Sequence, residues 1–476
     1  MKKILLVGAE ALPFAATGGL GDVMGSLPEA LAQYRGEDVD IRAVMPLYSS
    51  VPERYRARMK KIAEFTVHLA WRKQYCGIYE YKEDSATFYF VDNEFYFKRA
   101  SLYGQFDDGE RYAFFCHAVL DMMPVIGYFP DILHANDWQA ALTVIYLKRK
   151  YHTDSRFAQI KTVYTVHNID YQGWYDFAIL GDIFDLPFDA AQTVEFDGCI
   201  NLTKGAIVCC DRLTTVSERY ASELRSPYFS GRLAAIITEN AYKTTGIVNG
   251  IDVAYYNPKT DPDIRANYSA DDMTGKAQDK AELQRMFGLP ESPTTPIIAM
   301  VSRLASHKGF DLVRCVLEEI LTWDVQFVLL GTGEGELEEY FSDLAKRYPE
   351  KVGVVLAFNK ALSKQIYAGA DIFLMPSKSE PCGLSQMIAS VYGTVPVVRE
   401  VGGLFDTVKP YNRETGEGNG ITFVSYNAHD MMDALRRAVE LYGDGEAWEK
   451  LRDNAIRHDF SWGASAAGYF RMYDEL

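Results

Sequence analysis

The 476-residue sequence lacks a surplus of positive charge and a long apolar run. Lys and Arg number 49 against 65 Asp and Glu, which gives a formal net charge of −16. Nucleic acids and anionic membranes bind basic surfaces, so this balance argues against both as partners. No apolar run approaches the roughly 20 residues that span a bilayer. The run at residues 4–7 is too short for a secretory leader and is followed by Glu10, so we interpret it as a buried first strand.

Cysteine is sparse and unclustered. The seven residues are an odd number and show no spacing typical of a metal site. Such a set indicates free thiols in a reducing compartment, so we expect a cytoplasmic protein without a structural metal. The cysteines are Cys76, Cys116, Cys199, Cys209, Cys210, Cys315 and Cys382. Asp38 and Asp40 have the spacing of a sugar-nucleotide magnesium site, but they enter a predicted strand, which favours a solvated sheet edge.

Two common enzyme signatures are missing as well. The sequence contains no Ser-His-Asp hydrolase elbow. Gly19, Gly21 and Gly25 resemble a dinucleotide fingerprint, but the last glycine comes one residue late. No acidic residue stands at the end of a second strand, where it would hold a ribose. The sequence therefore disfavours a nicotinamide-dependent oxidoreductase.

The sequence does contain a regular alternation of strand-like and helix-like segments. Strand-like runs occur at residues 41–45, 132–135, 161–166, 212–216, 297–301, 326–330, 352–356, 372–376 and 395–398. This alternation predicts βαβ units and parallel sheets covered by helices, and so an α/β fold. Residues 66–99 break the rhythm with alternating aromatic residues, and we interpret them as an antiparallel hairpin excursion.

The length and one turn signal indicate two domains of similar size. Asn249-Gly250 marks a turn, and the polar stretch at residues 257–296 carries five prolines, as a linker would. We therefore place an N-terminal domain at 1–250 and a C-terminal domain at 251–455. Both are expected to be Rossmann-like, doubly wound sheets that bind ligands at the carboxyl ends of their strands, with a deep cleft between them.

Charged residues at two predicted strand ends indicate a diphosphate-sugar site. Arg303 and Lys308 follow the run at 297–301, and Glu380 follows the run at 372–376 just before a predicted helix. Two cations are suited to neutralising a leaving pyrophosphate, and a carboxylate is suited to holding sugar hydroxyls. The sequence thus predicts a nucleotide-sugar site in the second domain.

Three glycine-rich loops follow predicted strands, at residues 16–23, 331–336 and 402–408. Glycine permits positive φ and close backbone approach, and a following helix start attracts anions. Each loop taken alone favours a structural turn over a phosphate site. Glu334 and Glu336 would repel a pyrophosphate, so we interpret the second loop as a tight turn beside the site. The occurrence of three such loops in one chain favours a phosphate cleft.

Two histidines also lie at predicted strand ends. His134 stands three residues before Asp137, and His167 follows the run at 161–166. A lone histidine in such a place is more often structural than catalytic. Two of them beside Asp137 favour a polar site in the first domain.

These motifs, in this order, resemble the bacterial glycogen synthases and plant starch synthases over nearly the whole chain. The segments that carry the resemblance are residues 13–23 (PFAATGGLGDV), 134–138 (HANDW), 165–168 (TVHN), 249–252 (NGID), 302–309 (SRLASHKG), 380–384 (EPCGL) and 402–408 (GGLFDTV). Residues 92–97 (DNEFYF) and 411–420 (YNRETGEGNG) are similar to the Gram-positive branch. The ordered set is far more specific than any one motif.

The resemblance implies the GT-B architecture, with two Rossmann-like domains around a cleft and a helix at 456–476 that crosses back onto the first domain. It implies retaining transfer of glucose from ADP-glucose to the non-reducing 4-hydroxyl of an α-1,4-glucan, with no metal and no cofactor. Five catalytic residues are implied. Arg303 and Lys308 would bind the diphosphate, Glu380 and His167 the donor glucose, and Asp137 would lie on the acceptor side.

The resemblance also implies a wider set of substrate-binding residues. They are Ala16, Gly18, Gly19, Asp22, Tyr103, Asn168, Asn249, Gly331, Phe358, Cys382, Gly383, Leu384, Gly402, Gly403 and Thr407. Tyr103 would lie near the donor, Asn249 would contact a sugar, and Phe358 would cover the base.

One position departs from the family, whose signature begins Lys-x-Gly-Gly-Leu. Ala16 stands at that lysine, which leaves donor affinity and the choice between ADP-glucose and UDP-glucose open. Another retaining GT-B transferase, of the sucrose- or trehalose-forming type, is one alternative. Many of those carry a second glutamate where this chain has Ile388, which disfavours it. A non-catalytic glucan-binding or regulatory homologue is the other alternative, and the sequence leaves the oligomeric state open.

Overall fold

The computed structural model of the chain describes residues 1–83 and 86–476. The chain divides into two compact units. One comprises Met1–Gly250 and Trp462–Leu476, and the other comprises Ile251–Ser461. Each is built on a sheet of mainly parallel strands covered by helices. The predicted α/β class with doubly wound sheets is therefore confirmed.

The first unit contains one large sheet and one small sheet. Its described strands are β1 (Lys2–Val7), β2 (Val39–Pro46), β3 (Lys60–Leu69), β4 (Arg72–Glu83), β5 (Ala86–Asp92), β6 (Ile132–Asn136), β7 (Lys161–Val166), β8 (Trp174–Asp176), β9 (Glu195–Phe196), β10 (Cys199–Asn201), β11 (Arg212–Thr215) and β12 (Thr244–Gly246). The large sheet has the order β12-β11-β7-β6-β1-β2-β5-β4-β3, and the small one has the order β8-β10-β9. The inner strands of the large sheet are buried apolar runs, as in parallel sheets that helices cover on both faces.

Strand β1 lies at the point where the order of the large sheet reverses. It pairs in parallel with β2 on one side and with β6 on the other. The connections that leave β1 and β6 therefore diverge from each other at the carboxyl ends of these strands. In open α/β sheets this point forms the crevice that binds ligands. The first glycine-rich loop follows β1, and Asp137 follows β6.

The helices of this unit cover the large sheet and connect its strands. Those described before the domain boundary are α1 (Gly19–Arg35), α2 (Glu53–Arg56), α3 (Glu94–Phe97), α4 (Asp108–Ile126), α5 (Trp138–Arg149), α6 (Ser155–Ala158), α7 (Ala191–Val194), α8 (Leu202–Cys209), α9 (Glu218–Glu223), α10 (Pro227–Ser230) and α11 (Leu233–Glu239). Helix α4 is buried along most of its length and packs on α5.

The aromatic excursion is a hairpin over only part of its predicted length. Strands β3 and β4 pair antiparallel, β4 pairs antiparallel with β5, and β5 joins the sheet in parallel with β2. Residues 95–97 are not in the hairpin, because the side chain of Asn93 accepts a hydrogen bond from the backbone N–H of Tyr96 at 3.0 Å and starts α3. Asp84 and Ser85, which belong to the same prediction, lie outside the described residues.

The second unit has a wholly parallel sheet. Its strands are β13 (Ile297–Val301), β14 (Gln326–Leu330), β15 (Val352–Val355), β16 (Ile372–Met375), β17 (Val395–Arg399) and β18 (Ile421–Phe423). Their order is β15-β14-β13-β16-β17-β18, so the reversal falls between β13 and β16. Arg303 and Lys308 follow β13 and Glu380 follows β16, which places all three at the ligand-binding end of this sheet.

Helices cover both faces of the second sheet. They are α12 (Thr274–Met286), α13 (Phe310–Ile320), α14 (Gly335–Arg347), α15 (Lys360–Gly369), α16 (Ser385–Val391), α17 (Gly402–Thr407), α18 (Ala428–Tyr442) and α19 (Gly445–Arg457). Leu317, Phe341 and Leu435 belong to the apolar core on one face. Part of the segment at 257–296, expected to be a linker, forms α12, which packs on α15. Polar composition suggested a linker, but α12 instead buries Lys276 and Lys280 with hydrogen-bond partners.

The last helix, α20 (Trp462–Asp474), belongs to the first unit and packs against α1. The ring of Phe470 stacks on that of Tyr34 with centroids 5.7 Å apart. Residues 456–461, which the predicted tail included, belong to the second unit. Helix α19 extends to Arg457, and the N–H of Ile251 donates to the carbonyl of Phe460 at 2.8 Å. Across residues 1–83 and 86–476, no helix is both long and apolar enough to cross a membrane.

Candidate active site

The loop after β13 carries two cations in different surroundings. Arg303 is exposed and, across residues 1–83 and 86–476, its guanidinium forms no hydrogen bond or ion pair. Lys308 lies at the end of a 3₁₀ turn, Ser306–Lys308, just before α13. Gly309 follows it with φ of 79°, and a Cβ built there would lie 2.2 Å from the carbonyl oxygen of Pro376. Only glycine allows this approach, which brings the Arg303 loop against the loop after β16.

Lys308 and Glu380 form a nearly buried ion pair across these two loops. The Lys308 ammonium donates to Glu380 Oε1 at 2.9 Å and to Oε2 at 2.8 Å. The Ser377 hydroxyl also donates to Oε2, at 2.9 Å. Glu380 is only 5% exposed, and these donors hold its carboxylate in one orientation. The structure thus joins two of the predicted catalytic residues.

The loop after β14 supports the Arg303 loop from the other side. A Cβ on Gly331 would lie 1.9 Å from the carbonyl oxygen of Ser302, and one on Gly333 would lie 2.1 Å from that of Leu304. Glu334 Oε1 accepts the backbone N–H of Ser306 at 2.8 Å. These glycines serve close packing of two backbones, which agrees with the tight turn that the sequence predicted.

The third glycine-rich loop begins α17 and packs on the Glu380 loop. A Cβ on Gly402 would lie 2.0 Å from the carbonyl oxygen of Glu380, and one on Gly403 would lie 2.1 Å from that of Cys382. The Gly403 N–H donates to the carbonyl of Glu380 at 3.1 Å. This N–H is therefore used within the protein. The loop therefore holds Glu380 in place.

Other predicted residues of the second unit lie in the segments that follow its strands. Cys382 and Thr407 are buried, Leu384 precedes α16, and Gly383 has φ of 73°. The Thr407 hydroxyl accepts from the Gln386 side-chain amide at 3.0 Å, which ties α17 to α16. Phe358 lies between β15 and α15 and is 83% exposed, so its ring is open to a flat ligand.

In the first unit, the glycine-rich loop starts α1. Gly18 precedes the helix, and no side chain caps the first turn. Gly18 and Gly19 are exposed, and a Cβ at either would meet no atom within 4 Å. Ala16 is exposed and packs against Gly21, and Asp22 lies in the first turn of α1. An uncapped helix start is suited to an anion.

Asp137 connects the ends of β6 and β7. Its backbone has φ of 59°, an unusual value for a residue other than glycine. Its carboxylate accepts the N–H of His167 at 2.7 Å and also interacts with the N–H of Asn168. Burial raises the pKa of Asp137 to about 7, more than these hydrogen bonds lower it. The structure thus brings three predicted site residues together.

The imidazole of His167 has a defined tautomer. Asn136 uses its side-chain N–H groups on the carbonyls of Val7 and His134, both at 3.2 Å. Its Oδ1 is therefore the atom that faces His167 Nε2, at 2.9 Å, and Nε2 must donate. Burial lowers the pKa of His167 to about 3, so the ring is neutral and Nδ1 carries a lone pair. Nδ1 can accept a hydrogen bond from a sugar hydroxyl.

His134 has a structural role. Its Nδ1 bonds the Tyr473 hydroxyl at 2.7 Å and its Nε2 bonds Thr165 Oγ1 at 2.6 Å. It is completely buried, and burial lowers its pKa to about 3. His134 therefore fastens α20 to the large sheet through Tyr473.

Asn249 presents an unused acceptor. Its side chain is 6% exposed, and across residues 1–83 and 86–476 its Oδ1 has no hydrogen-bond partner. A buried carbonyl without a partner is costly and is most often explained by a ligand or water. Tyr103, by contrast, donates its hydroxyl to Glu10 at 2.8 Å.

Three residues that contact the predicted site were not identified from the sequence. They are Glu10, Asn136 and Ser377. Asn136 lies within the motif at residues 134–138, and Glu10 and Ser377 lie beside motifs, but only the folded arrangement gives each of them a partner in the site. Asp40, which has the spacing of a magnesium site with Asp38, instead forms an ion pair with Arg42 at 2.8 Å. In the part of the chain that the structure describes, no cluster of three or more His, Cys, Asp or Glu is placed to hold a metal.

The two halves of the chain match two family models. Residues 3–239 match the starch synthase catalytic domain, and residues 283–458 match the glycosyl transferases group 1. The chain is 47% identical to the glycogen synthase of Anoxybacillus flavithermus over 476 residues, which cover all of this chain and 98% of that protein. It is 45% identical to the glycogen synthase of Geobacillus stearothermophilus, with the same coverage. The chain belongs to the glycogen synthase family.

Solved structures agree with this family. The catalytic domain of starch synthase IV from Arabidopsis thaliana, bound to ADP and acarbose, superposes with a TM-score of 0.90 at 31% identity, covering 100% of this chain and 99% of that one. Sucrose-phosphate synthase from Thermosynechococcus elongatus gives a TM-score of 0.62 at 17% identity over the same shares, which shows the shared fold alone. The predicted GT-B glycosyltransferase fold and the predicted enzyme class are confirmed.

Proposed function

We propose that this glycogen synthase family member transfers glucose from ADP-glucose to the non-reducing 4-hydroxyl of an α-1,4-glucan and retains the anomeric configuration. The observation that carries the proposal is the guanidinium of Arg303, which has no partner among the described residues and lies on the same loop as Lys308 of the Lys308–Glu380 pair. All three stand at the carboxyl ends of β13 and β16, where the second sheet reverses. A free cation beside a fixed carboxylate suits a diphosphate sugar.

The second unit binds the donor in this proposal. Negative charge grows on the ADP as the bond between the anomeric carbon and the phosphate oxygen breaks. Arg303 and Lys308 stabilise that charge, and their effect is strong because they are positioned before the reaction starts. Glu380 holds Lys308 in place and accepts hydroxyls of the glucose. The exposed ring of Phe358 covers the base.

The first unit orients the sugar in this proposal. His167 accepts a glucose hydroxyl at Nδ1, and Asn249 accepts another at its unused Oδ1. Asp137 lies on the acceptor side. The incoming 4-hydroxyl attacks on the face from which ADP leaves, and its proton passes to the departing phosphate oxygen. One C–O bond breaks and one forms on the same face, so the configuration is retained.

The test is incorporation of labelled glucose into glycogen from ADP-glucose, with UDP-glucose in parallel. We expect transfer from ADP-glucose, and release of the added label by an enzyme that cleaves only α-1,4 bonds. Glycogen binding without transfer from either donor would favour the non-catalytic homologue. Faster transfer from UDP-glucose would contradict the donor assignment. Because all seven cysteines are free thiols, we also assign the protein to the cytoplasm.

A further inference from the structure

Glu10 is a buried acid at the point where the first sheet reverses, three residues after the end of β1. Its side chain is 4% exposed. Its Oε2 accepts the backbone N–H of Thr17, and the Thr17 hydroxyl lies 3.2 Å from Oε1. The Tyr103 hydroxyl donates to Oε1 at 2.8 Å. One carboxylate therefore joins two separate segments, the glycine-rich loop and the segment before α4.

The groups that face Glu10 include no paired cation. Across residues 1–83 and 86–476, it forms no ion pair. Tyr103 and Thr17 donate to it, and Tyr48 and Asp137 lie close enough to interact with its charge. Burial raises the pKa of Glu10, against the opposing effect of its hydrogen bonds. A buried carboxylate without a cation is costly, and stability alone gives no reason for a charge here.

The hydrogen bonds of Glu10 end beside the open start of α1. Thr17 immediately precedes Gly18, whose N–H also interacts with the Glu10 carboxylate. A Cβ on Gly21 would lie 3.4 Å from Glu10 Oε2, so the first turn of α1 packs on the same carboxylate. No side chain caps this helix. Glu10 thus holds the loop from its buried side, while the first turn of α1 has no side-chain cap.

We propose that Glu10 is a positioning residue for donor binding, which holds the Gly18–Gly19 loop and the Tyr103 hydroxyl in register with each other. This inference rests on the proposed function, together with the expectation from the family resemblance that Gly18 and Gly19 bind substrate. Both oxygens of an ionised carboxylate accept, so Thr17 and Tyr103 are held together. A protonated carboxyl or an amide turns one of these acceptors into a donor and removes the charge, so the bonds to the two segments weaken and the segments are held less firmly.

The test compares Glu10→Gln with Glu37→Gln, an exposed acid after the end of α1, as the matched control. We expect Glu10→Gln to fold, to raise the KM for ADP-glucose and the Kd for ADP by about tenfold, which is about 1.4 kcal/mol, and to keep most of kcat. It should also flatten the fall in activity toward acid pH. The control should match wild type in each measurement. An unchanged KM and Kd, or a loss confined to kcat, would overturn the proposal.

A Tyr103→Phe variant and calorimetric binding of ADP provide two further tests. If Glu10→Gln fails to fold, Tyr103→Phe takes its place in the test. This variant removes the hydrogen bond from Tyr103 to Glu10 and leaves the carboxylate unchanged. Tyr103→Phe should also raise the KM for ADP-glucose and the Kd for ADP, and unchanged values of both would overturn the proposal. Calorimetric binding of ADP separates this inference from the proposed function. A wild type that transfers no glucose but binds ADP about tenfold better than Glu10→Gln refutes the function and supports the positioning role.

Discussion

The ammonium of Lys308 lies between the two carboxylate oxygens of Glu380, at 2.9 and 2.8 Å, although 72 residues separate them in the chain. The pair forms because β13 and β16 are neighbours in the sheet and Gly309 lets their loops touch. The cation that we expect to bind the diphosphate and the carboxylate that we expect to bind the glucose therefore form a single ion pair. Arg303, on the same loop as Lys308, stands outside this pair.

This difference predicts different effects for the two cations. Arg303→Ala should lower kcat by roughly 10²–10³ with an unchanged melting temperature, because only an interaction with the departing diphosphate is lost. Lys308→Ala should lower kcat as well and also cost roughly 3 kcal/mol of folding stability, since it leaves the buried Glu380 charge without its partner.

Steady-state transfer assays and thermal melts check both variants. Arg436→Ala is the control, because Arg436 lies on the surface of α18, where it pairs with Asp433 at 3.6 Å and lies over the ring of Trp323 at 5.8 Å. Near-normal kcat in Arg303→Ala would remove the residue from the mechanism. An unchanged melting temperature in Lys308→Ala would contradict the importance of the ion pair to the fold.

Alanine substitutions in the glycine-rich loops at residues 16–23 and 402–408 should have opposite effects on the melting temperature and on donor binding. Gly403→Ala places a Cβ 2.1 Å from the carbonyl oxygen of Cys382, so it should lower the melting temperature and disorder the Glu380 loop. Gly18→Ala meets no atom and has an extended backbone, so its melting temperature should stay within a few degrees. If Gly18 approaches the donor, that variant should instead raise the KM for ADP-glucose. Equal melting temperatures in the two variants would refute this distinction.

Asn249→Ala should separate function from stability. The variant removes a buried acceptor that has no partner among the described residues, so folding stability should be unchanged or slightly higher. Transfer should fall by about tenfold or more, because the proposed sugar contact is lost. Asn267→Ala is the control. Its side chain donates to the carbonyls of Pro258 and Asp261, so it should lose stability and keep kcat. A fully active Asn249→Ala would exclude the contact.

The buried His134 predicts an acid-sensitive fold. Its pKa is lowered to about 3, so between about pH 3 and 6.5 the unfolded chain binds a proton that the folded chain does not. Its contribution to stability is therefore lost as the pH falls through this window. Asp137, with a pKa raised to about 7, changes the free energy of unfolding with pH in the opposite direction. The effect of His134 is therefore measured as the difference between wild type and a His134 variant.

Urea unfolding of wild type and His134→Phe between pH 4 and 6 measures this contribution. The wild-type free energy of unfolding should fall more steeply, by about 1.4 kcal/mol per pH unit. His152→Gln, which changes an exposed histidine, should keep the wild-type slope. Equal slopes in wild type and His134→Phe would show that His134 titrates normally.

Much of the fold could be predicted from the sequence, because parallel strands buried on both faces leave continuous apolar runs. The strands at 161–166, 297–301 and 326–330 have the predicted bounds. The predictions of local structure were wrong where hydrogen bonds of individual side chains determined the fold. Asn93 turned residues 95–97 into a helix, and buried partners of Lys276 allowed a helix in a polar, proline-flanked segment.

The site could be predicted only as separate motifs. The sequence placed Lys308 and Glu380 at strand ends, but their contact depends on which strands are neighbours in the sheet. The glycines of residues 402–403 were expected to face a phosphate, whereas their missing Cβ atoms let one loop pack on another. Glu10 carries no motif of its own, and only the fold brings Thr17 and Tyr103 to it.

A crystal structure of the protein with ADP would locate the diphosphate itself. We expect the diphosphate to lie against the guanidinium of Arg303 and within hydrogen-bond distance of the Lys308 ammonium, at the carboxyl ends of β13 and β16. Bound ADP whose phosphates lie away from both side chains would contradict this expectation.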